Sequence, residues 1–358
     1  MAVNDLYRDF QLSWFGFTGE ASDVVLSSRV RLARNFAKLP FPNRANQKQL
    51  VQVQNLTTTI FNDIESICGQ NFDAIGMDAL TELERNILAE KQLITTRMAQ
   101  TPAYRSAYIS ADRNISILVN EEDHLRIQCM APGLDLAQPF AMAAMIDDAV
   151  EEKLDVAFDE KLGYLTSCPT NLGTGLRASV ILHLPGLVYT RNMHNITNIS
   201  QQLGLSVRGL YGEGSETVGN IFVVSNQLTL GFSEQGIIEN LTSAVGEIVA
   251  HERRARKALV AYSKERLEDA VWRAYGVLKY ARSLGESEVL ELISKVRMGV
   301  DMELLHVASP ESFSELVLAS RPSYLRNLVG NDNLSAAELD RKRAEMVRRV
   351  LAGPDDRE

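Results

Sequence analysis

The chain has 358 residues, enough for one large domain and a smaller one, and its 45% apolar share is that of a core-forming globular protein. With 37 basic against 46 acidic residues the formal net charge is −9. That balance argues against general affinity for nucleic acid and makes any phosphate site a local cluster of arginines.

Three cysteines, Cys68, Cys129 and Cys168, show neither a CxxC pair nor metal-ligand spacing. They fit a reducing cytoplasm, and no metal site built from protein ligands is expected. Residues 1–16 lack the basic and apolar regions of a signal peptide, and no apolar run approaches membrane-spanning length. A soluble cytoplasmic protein is the expectation.

In chain order, Val24 to Leu32 alternates as a strand, and Asn43 to Ile67 is helical with Leu50, Val53, Leu56, Ile60, Ile64 and Ile67 on one stripe. Ile115 to Asn120 and Leu125 to Met130 flank Glu121-Glu122-Asp123-His124 and predict a hairpin with an acidic tip. Asp135 to Leu154 predicts a helix. Phe158 to Leu165, Ser179 to Leu184, Leu205 to Gly209 and Ile221 to Thr229 predict further strands. From about Ser233 the pattern is helix after helix, with Leu267, Val271, Ala274 and Leu278 on one stripe. Ser309-Pro310 opens one helix, Ser335 with Glu338 makes a capping box for the last, and residues 353–358 are polar and frayed. The fold class is α+β: a large, mostly antiparallel sheet flanked by helices, then a helical C-terminal domain. The boundary falls near Leu259 to Ser263, dividing the chain into 1–259 and 260–358.

The most informative stretch is Cys168-Pro169-Thr170-Asn171-Leu172-Gly173-Thr174-Gly175-Leu176-Arg177-Ala178-Ser179. It sets a thiol at one end of a Gly/Thr-rich turn and a guanidinium near the other. Free N–H groups and a fixed Arg suit an anion, but no Gly-Lys-Ser/Thr follows, so it is not a P-loop. From the residues alone, a phosphate-contacting loop and a plain turn both fit.

Other arginines point the same way. In Ser27-Ser28-Arg29-Val30-Arg31 the two guanidiniums share one face of a strand. Arg126 leaves the acidic tip, and Arg208 opens Arg208-Gly209-Leu210-Tyr211-Gly212-Glu213-Gly214. Taken singly, each is as well read as a solvated surface group. Glu122 alone is as well read as an exposed turn carboxylate, Cys168 as a small buried hydrophobe, and His124 as structural.

Together these residues resemble the guanidino (phosphagen) kinases, which move the γ-phosphate of ATP onto a guanidinium nitrogen. The loop from Cys168 to Ser179 is similar to the signature loop of that family without a break. Asn120 to Arg126 resembles its second signature. The resemblance implies ATP with Mg²⁺, and a nucleotide site of Ser27, Ser28, Arg29, Val30, Arg31, Gln92, Arg126, Arg177, Ala178, Ser179, Val180, Ile181, Arg208, Gly209, Leu210, Tyr211 and Gly212. It implies Glu122 and Glu213 as the carboxylates that grip the guanidinium and Cys168 as its thiolate partner.

Details such as Ser22 to Arg29 and Pro40-Phe41-Pro42 are similar to the bacterial protein arginine kinases. The first Arg pair follows almost at once, with no preceding helical domain. That resemblance implies phosphorylation of exposed arginines in proteins, marking them for a Clp-type protease. It also implies an activator protein, a homodimer and a C-terminal phosphoarginine site at Asp340 and Arg343. A kinase for free arginine or another small guanidino compound is the alternative, and a silent scaffold a third reading. Two departures stand out: Gln92 replaces a usual His, and Leu339 replaces the Arg that opens the C-terminal motif.

Overall fold

A computed structural model describes residues 19–210, 217–306 and 311–351. The expectations at Tyr211, Gly212, Glu213, Ser309, Pro310 and 353–358 lie outside the described residues.

The alternation of Val30 and Leu32 with Arg29 and Arg31 sets the central strand, β1 (Val25–Arg34), between an apolar face and a charged one. Around it lie β2 (Phe72–Gly76), β3 (Ser106–Ser110), β4 (Ile115–Val119), β5 (Leu125–Pro132), β8 (Leu176–His183), β9 (Leu205–Gly209) and β10 (Ile221–Asn226). The sheet order is β2-β3-β4-β5-β1-β8-β10-β9, with every pairing antiparallel. Two short strands, β6 (Phe158–Asp159) and β7 (Gly163–Tyr164), form a separate hairpin.

One sheet face is apolar throughout: Val30, Leu32, Ile127, Ala178, Val180 and Val224 are buried under helices Gln47–Cys68, Ala137–Glu151 and the first half of Glu234–Tyr280. On the other face, Ile109, Leu118, Met130, Ile181 and Val223 pack against the later helices through Val271, Tyr275, Val289 and Ile293. The arginines lie on this second face, on a sheet whose other side is sealed. The helix Glu234–Tyr280 serves both cores and passes the expected boundary, leaving helical geometry only at Ser263 (φ −147°, ψ 27°). At Gly299 a side chain would collide with Val271, so glycine permits the close packing of helix Glu286–Asp301 on it.

The elements follow the sequence pattern with physical exceptions. The first described helix starts at Gln47, not Asn43, because Asn46 and Gln49 close a reciprocal capping box. Ile67, on the expected stripe, is exposed at its end. Phe158 to Leu165 is a hairpin rather than one strand, since Asp159 Oδ1 accepts from Lys161 N and Leu162 N and Gly163 takes φ 73°. β8 starts at Leu176, so Arg177 sits in the strand and the turn ends at Gly175. There φ is 66°, and a Cβ would lie 2.7 Å from the Ala33 carbonyl oxygen. β10 stops at Asn226, whose side chain bonds Ala178 N and Leu176 O across the sheet. The capping box of Ser335 and Glu338 is present.

Candidate active site

Directly opposed residues in an antiparallel pair share a face. Arg31 stands opposite Arg177 on one side and Gln128 on the other, Arg29 opposite Ser179, and Arg126 opposite Ala33. Arg208, opposite Val223, reaches the same face from the far edge. Opposed like charges destabilise a sheet, so a pair such as Arg31 and Arg177 calls for an anion between them.

The guanidiniums feel one another. Arg29 is lowered to about 10, by burial first and then by Arg126, Arg177 and Arg208. Burial and the same neighbours, with Arg29, push Arg31 well below its usual range. Arg177 is lowered by burial, Arg208 and Arg126. All five expected arginines are therefore brought together. The buried Nε of Arg31 has no hydrogen-bond partner among the described residues.

Neutral groups fix the floor. Arg29 donates to Ser179 Oγ (3.3 Å) and to Gln92 Oε1 (3.1 Å), while Gln128 Nε2 donates to Gln92 O (2.9 Å). Gln92, at φ 56°, thus lies on the arginine cluster. Arg177 donates to Ser225 Oγ at 3.3 Å.

The tip of the β4–β5 hairpin supplies the carboxylates. Glu121 is buried, accepts from Thr95 Oγ1 and Glu122 N at 2.9 Å each, and pairs with Arg126 Nη1 at 2.9 Å. Burial raises its pKa, but Arg126 and these bonds outweigh that and hold it below the usual value. Glu122 is only partly buried, and its carboxylate has no hydrogen bond among the described residues. Burial, Asp123 and Glu121 push its pKa up against the pull of Arg126 and Arg97. Neighbouring carboxylates driven apart in this way divide their work. Glu121 holds Arg126; Glu122 is left as the carboxylate without a hydrogen bond among the described residues.

Cys168 caps a short turn, Pro169–Asn171, with Sγ 3.0 Å from Thr170 Oγ1. Its thiolate would favour the charged form of Arg177, which places the two in electrostatic reach. Asp123 Oδ1 accepts from Ser167 N and Asn35 Nδ2, both at 2.6 Å, tying hairpin tip to signature loop. His124 is buried, accepting from Phe36 N at Nδ1 and donating from Nε2 to Pro40 O, so it is structural.

Not every expected residue faces the arginine cluster. Val30, Ala178 and Val180 point into the opposite core. Ser28 Oγ bonds Gly133 O and Asp135 N instead. Ser27 and Ile181 are on the arginine-bearing face but buried, Gly209 pairs with Phe222, and Leu210 packs on the second core. Asp340 and Arg343 are on the last helix, paired at 2.5 Å. Arg343 is buried and donates to Ser320 O and Leu284 O, while Leu339 packs with Leu325 and Leu334.

The sequence reading gave no role to Glu121, Asp123, Thr95, Gln128 or Ser225. Glu121 was accessible to it, since a carboxylate at a hairpin tip stands beside a residue leaving that tip. The others needed the register.

Comparison with known proteins gives two family matches. Residues 52–255 match the ATP:guanido phosphotransferase C-terminal catalytic domain, and residues 264–358 match the protein-arginine kinase McsB C-terminal domain. A protein-arginine kinase of Syntrophomonas wolfei is 43% identical over 98% of each chain. Those of Desulforamulus reducens and Bacillus subtilis are 45% and 43% identical, over 98% of this chain and 98% and 96% of theirs. Among solved structures, a lombricine kinase (TM-score 0.59, 25% identity) covers 70% of this chain and 72% of its own. A duplicated taurocyamine kinase of Schistosoma mansoni, with transition-state-analogue components bound (0.59, 26%), covers 74% of this chain and 39% of its own.

Proposed function

Because the chain belongs to the ATP:guanido phosphotransferase family, we propose that it transfers the γ-phosphoryl group of ATP to arginine side chains of proteins. The observation that carries this reading is the convergence of five guanidiniums on one sheet face, with Glu122, its pKa raised, free of hydrogen bonds among the described residues. Similarity over nearly the whole length to protein-arginine kinases, C-terminal region included, supports proteins as the substrates.

In this mechanism Arg29, Arg31, Arg126, Arg177 and Arg208 hold the phosphates and neutralise charge as the γ-phosphoryl group leaves. A guanidinium is protonated at neutral pH and a poor nucleophile. Glu122, with Glu213, would grip its planar fork and align one nitrogen on phosphorus. The bond from γ-phosphorus to the ADP oxygen breaks, the phosphorus–nitrogen bond forms, and the nitrogen's proton passes to Glu122. The thiolate of Cys168 would face the guanidinium's positive charge. Mg²⁺ fits as a companion of the nucleotide, held by phosphate oxygens and water, where it would neutralise the β- and γ-phosphates. No protein ligand for it is assigned.

The same reading includes a catalytic domain of residues 1–259, a C-terminal domain of residues 260–358 with a phosphoarginine site at Asp340 and Arg343 that Leu339 weakens, and a homodimer in the cytoplasm. It also includes an activator protein and delivery of the modified proteins to a Clp-type protease. Incubation with ATP, Mg²⁺, an unfolded protein and free arginine, followed by phosphorus NMR, tests the core of it. Phosphoarginine on the protein is the expected product. Phosphorylation of free arginine alone would instead establish the small-substrate alternative.

A further inference from the structure

We propose that a groove behind the signature loop docks apolar residues flanking the target arginine, in an extended, unfolded segment of substrate protein. The proposal rests on the protein-substrate reading above and deepens it. The groove, about 370 Å³, lies between the β6–β7 hairpin and the loop that follows β10. Phe158, Leu162, Leu230 and Phe232 line it at 58%, 42%, 49% and 54% exposure, and Leu228 beside them is 59% exposed. Single exposed apolar residues are ordinary, but several facing one groove mark an interaction surface.

The platform is tightly built. A Cβ at Gly173 would meet Leu230 Cα at 2.7 Å, so the loops pack backbone against backbone. Tyr164 N donates to Gly173 O at 2.8 Å. The side chains are therefore displayed on a braced frame.

Position selects the occupant. Thr229, in the groove wall, donates through Oγ1 to Thr170 O and Leu172 O at 3.1 and 2.6 Å. Thr170 Oγ1 is itself 3.0 Å from Cys168 Sγ. The groove thus borders the back of the loop that carries the candidate thiolate. A free guanidino compound has nothing to place there. A polypeptide held by its arginine has neighbours to place, and an unfolded segment presents several of them together as exposed apolar side chains.

The test compares two single-arginine peptides, one flanked by Leu and Phe and the other by Ser and Gly. Wild type and a Phe158→Ser/Phe232→Ser variant are assayed on each, with ATP binding and thermal melting as controls. The wild type should prefer the apolar-flanked peptide. In the variant, kcat/KM for that peptide should fall by about 10- to 100-fold, through KM, in line with the loss of one or two buried aromatic contacts. Activity on the polar-flanked peptide and ATP affinity should hold. Unchanged kinetics, or equal losses on both peptides, would overturn the docking proposal while leaving protein arginine phosphorylation intact. Loss of self-association in sedimentation with unchanged peptide kinetics would assign the groove to a second copy of the chain instead. A wild type that phosphorylates free arginine and neither peptide would overturn the protein-substrate reading, and the groove proposal with it.

Discussion

Asp123 Oδ1 accepts a 2.6 Å hydrogen bond from Ser167 N, one residue before Cys168. The acidic hairpin and the signature loop, far apart in sequence, are thereby held in one geometry, and Asn35 Nδ2 on the same oxygen fixes the carboxylate in turn. Asp123 is a positioning residue: it links the piece bearing Glu122 to the piece bearing Cys168. Asp123→Ala should lower kcat on the order of 10²-fold, the scale of a reacting group displaced by about 1 Å, and leave ATP affinity unchanged. Asp123→Asn keeps an acceptor oxygen and should recover some of the loss. Wild-type kcat in Asp123→Ala, with a normal melting curve, would remove this role.

Glu122→Gln should keep ATP binding and lower turnover by roughly 10²- to 10⁴-fold, the range for loss of a general base. The pH dependence follows from the raised pKa of Glu122, caused by burial with Asp123 and Glu121. In the proposed mechanism the ionised form acts as the base, and it is lost as pH falls through a value above the ordinary 4.5. The acid limb of kcat should therefore lie above that of an unperturbed glutamate, and the residual rate of Glu122→Gln should lack it. Glu213→Gln, assayed in parallel, should also spare nucleotide binding while lowering turnover. A pH profile unchanged by Glu122→Gln would exclude Glu122 as the base.

Arg31 opposite Arg177 is an unfavourable pair in the empty protein and, in the proposed nucleotide site, would become a favourable cradle for phosphate. ATP with Mg²⁺ should raise the melting temperature, corresponding to about 2.7 kcal/mol at a hundredfold excess over Kd. Arg177→Ala should relieve repulsion, so the empty variant melts no lower than wild type while the shift with ATP shrinks. Added salt should narrow the difference between the empty proteins, because it screens the solvent-facing share of the repulsion. A full ATP shift in Arg177→Ala would place that residue outside the nucleotide site.

The fold was legible where pattern and period coincide. Alternation in β1 separated Val30 and Leu32 from Arg29 and Arg31, and the sheet register confirms that split. Edges depended on side-chain chemistry that periodicity does not see, such as Asn226 ending β10 and Gly175 ending the signature turn. The arginine cluster was legible one residue at a time, but its meaning lies in cross-strand register, which makes neighbours of Arg31 and Arg177 although they are far apart in the chain. Asp123 and Thr95 carried no local signal, since their partners, Ser167 and Glu121, sit on other elements. Conversely, Val30, Ala178 and Val180 lie within matching motifs, yet their side chains face the core.

Glu90 ties the C-terminal helices to the arginine floor. Its carboxylate accepts from Ser323 N and Tyr324 N, at 3.0 and 2.9 Å, where helix Pro322–Val329 begins. Two residues on, Gln92 holds Arg29 at 3.1 Å. A carboxylate on the first N–H groups of a helix complements its dipole. Glu90→Ala should cost about 1.5–3 kcal/mol of stability, the value of hydrogen bonds to a charged group, and weaken ATP binding through the displaced Gln92. Denaturant unfolding and ATP titration together measure both effects. Unchanged values for both would show the helix docking to be independent of this contact.

On the C-terminal helix, Leu339 is 6% exposed against Leu325 and Leu334, and an apolar side chain bonds no phosphate. Arg343 is committed to Ser320 O, Leu284 O and Asp340, so little of it is left for a ligand. Free phosphoarginine should therefore bind weakly at this helix. Leu339→Arg can keep its aliphatic stem on the leucines while the guanidinium reaches solvent beside Asp340. It should lower the melting temperature, because packing is lost, and strengthen phosphoarginine binding by about 1.5–3 kcal/mol through a charge-assisted bond. Calorimetric titration in a Glu122→Gln background, with and without Leu339→Arg, separates this site from catalytic turnover. Asp340→Asn is the companion variant, because Arg343→Ala would strip two buried carbonyls of their donor and disturb the fold. Tight binding by the unaltered helix would refute the prediction and assign the phosphate contact to Arg341 or Lys342.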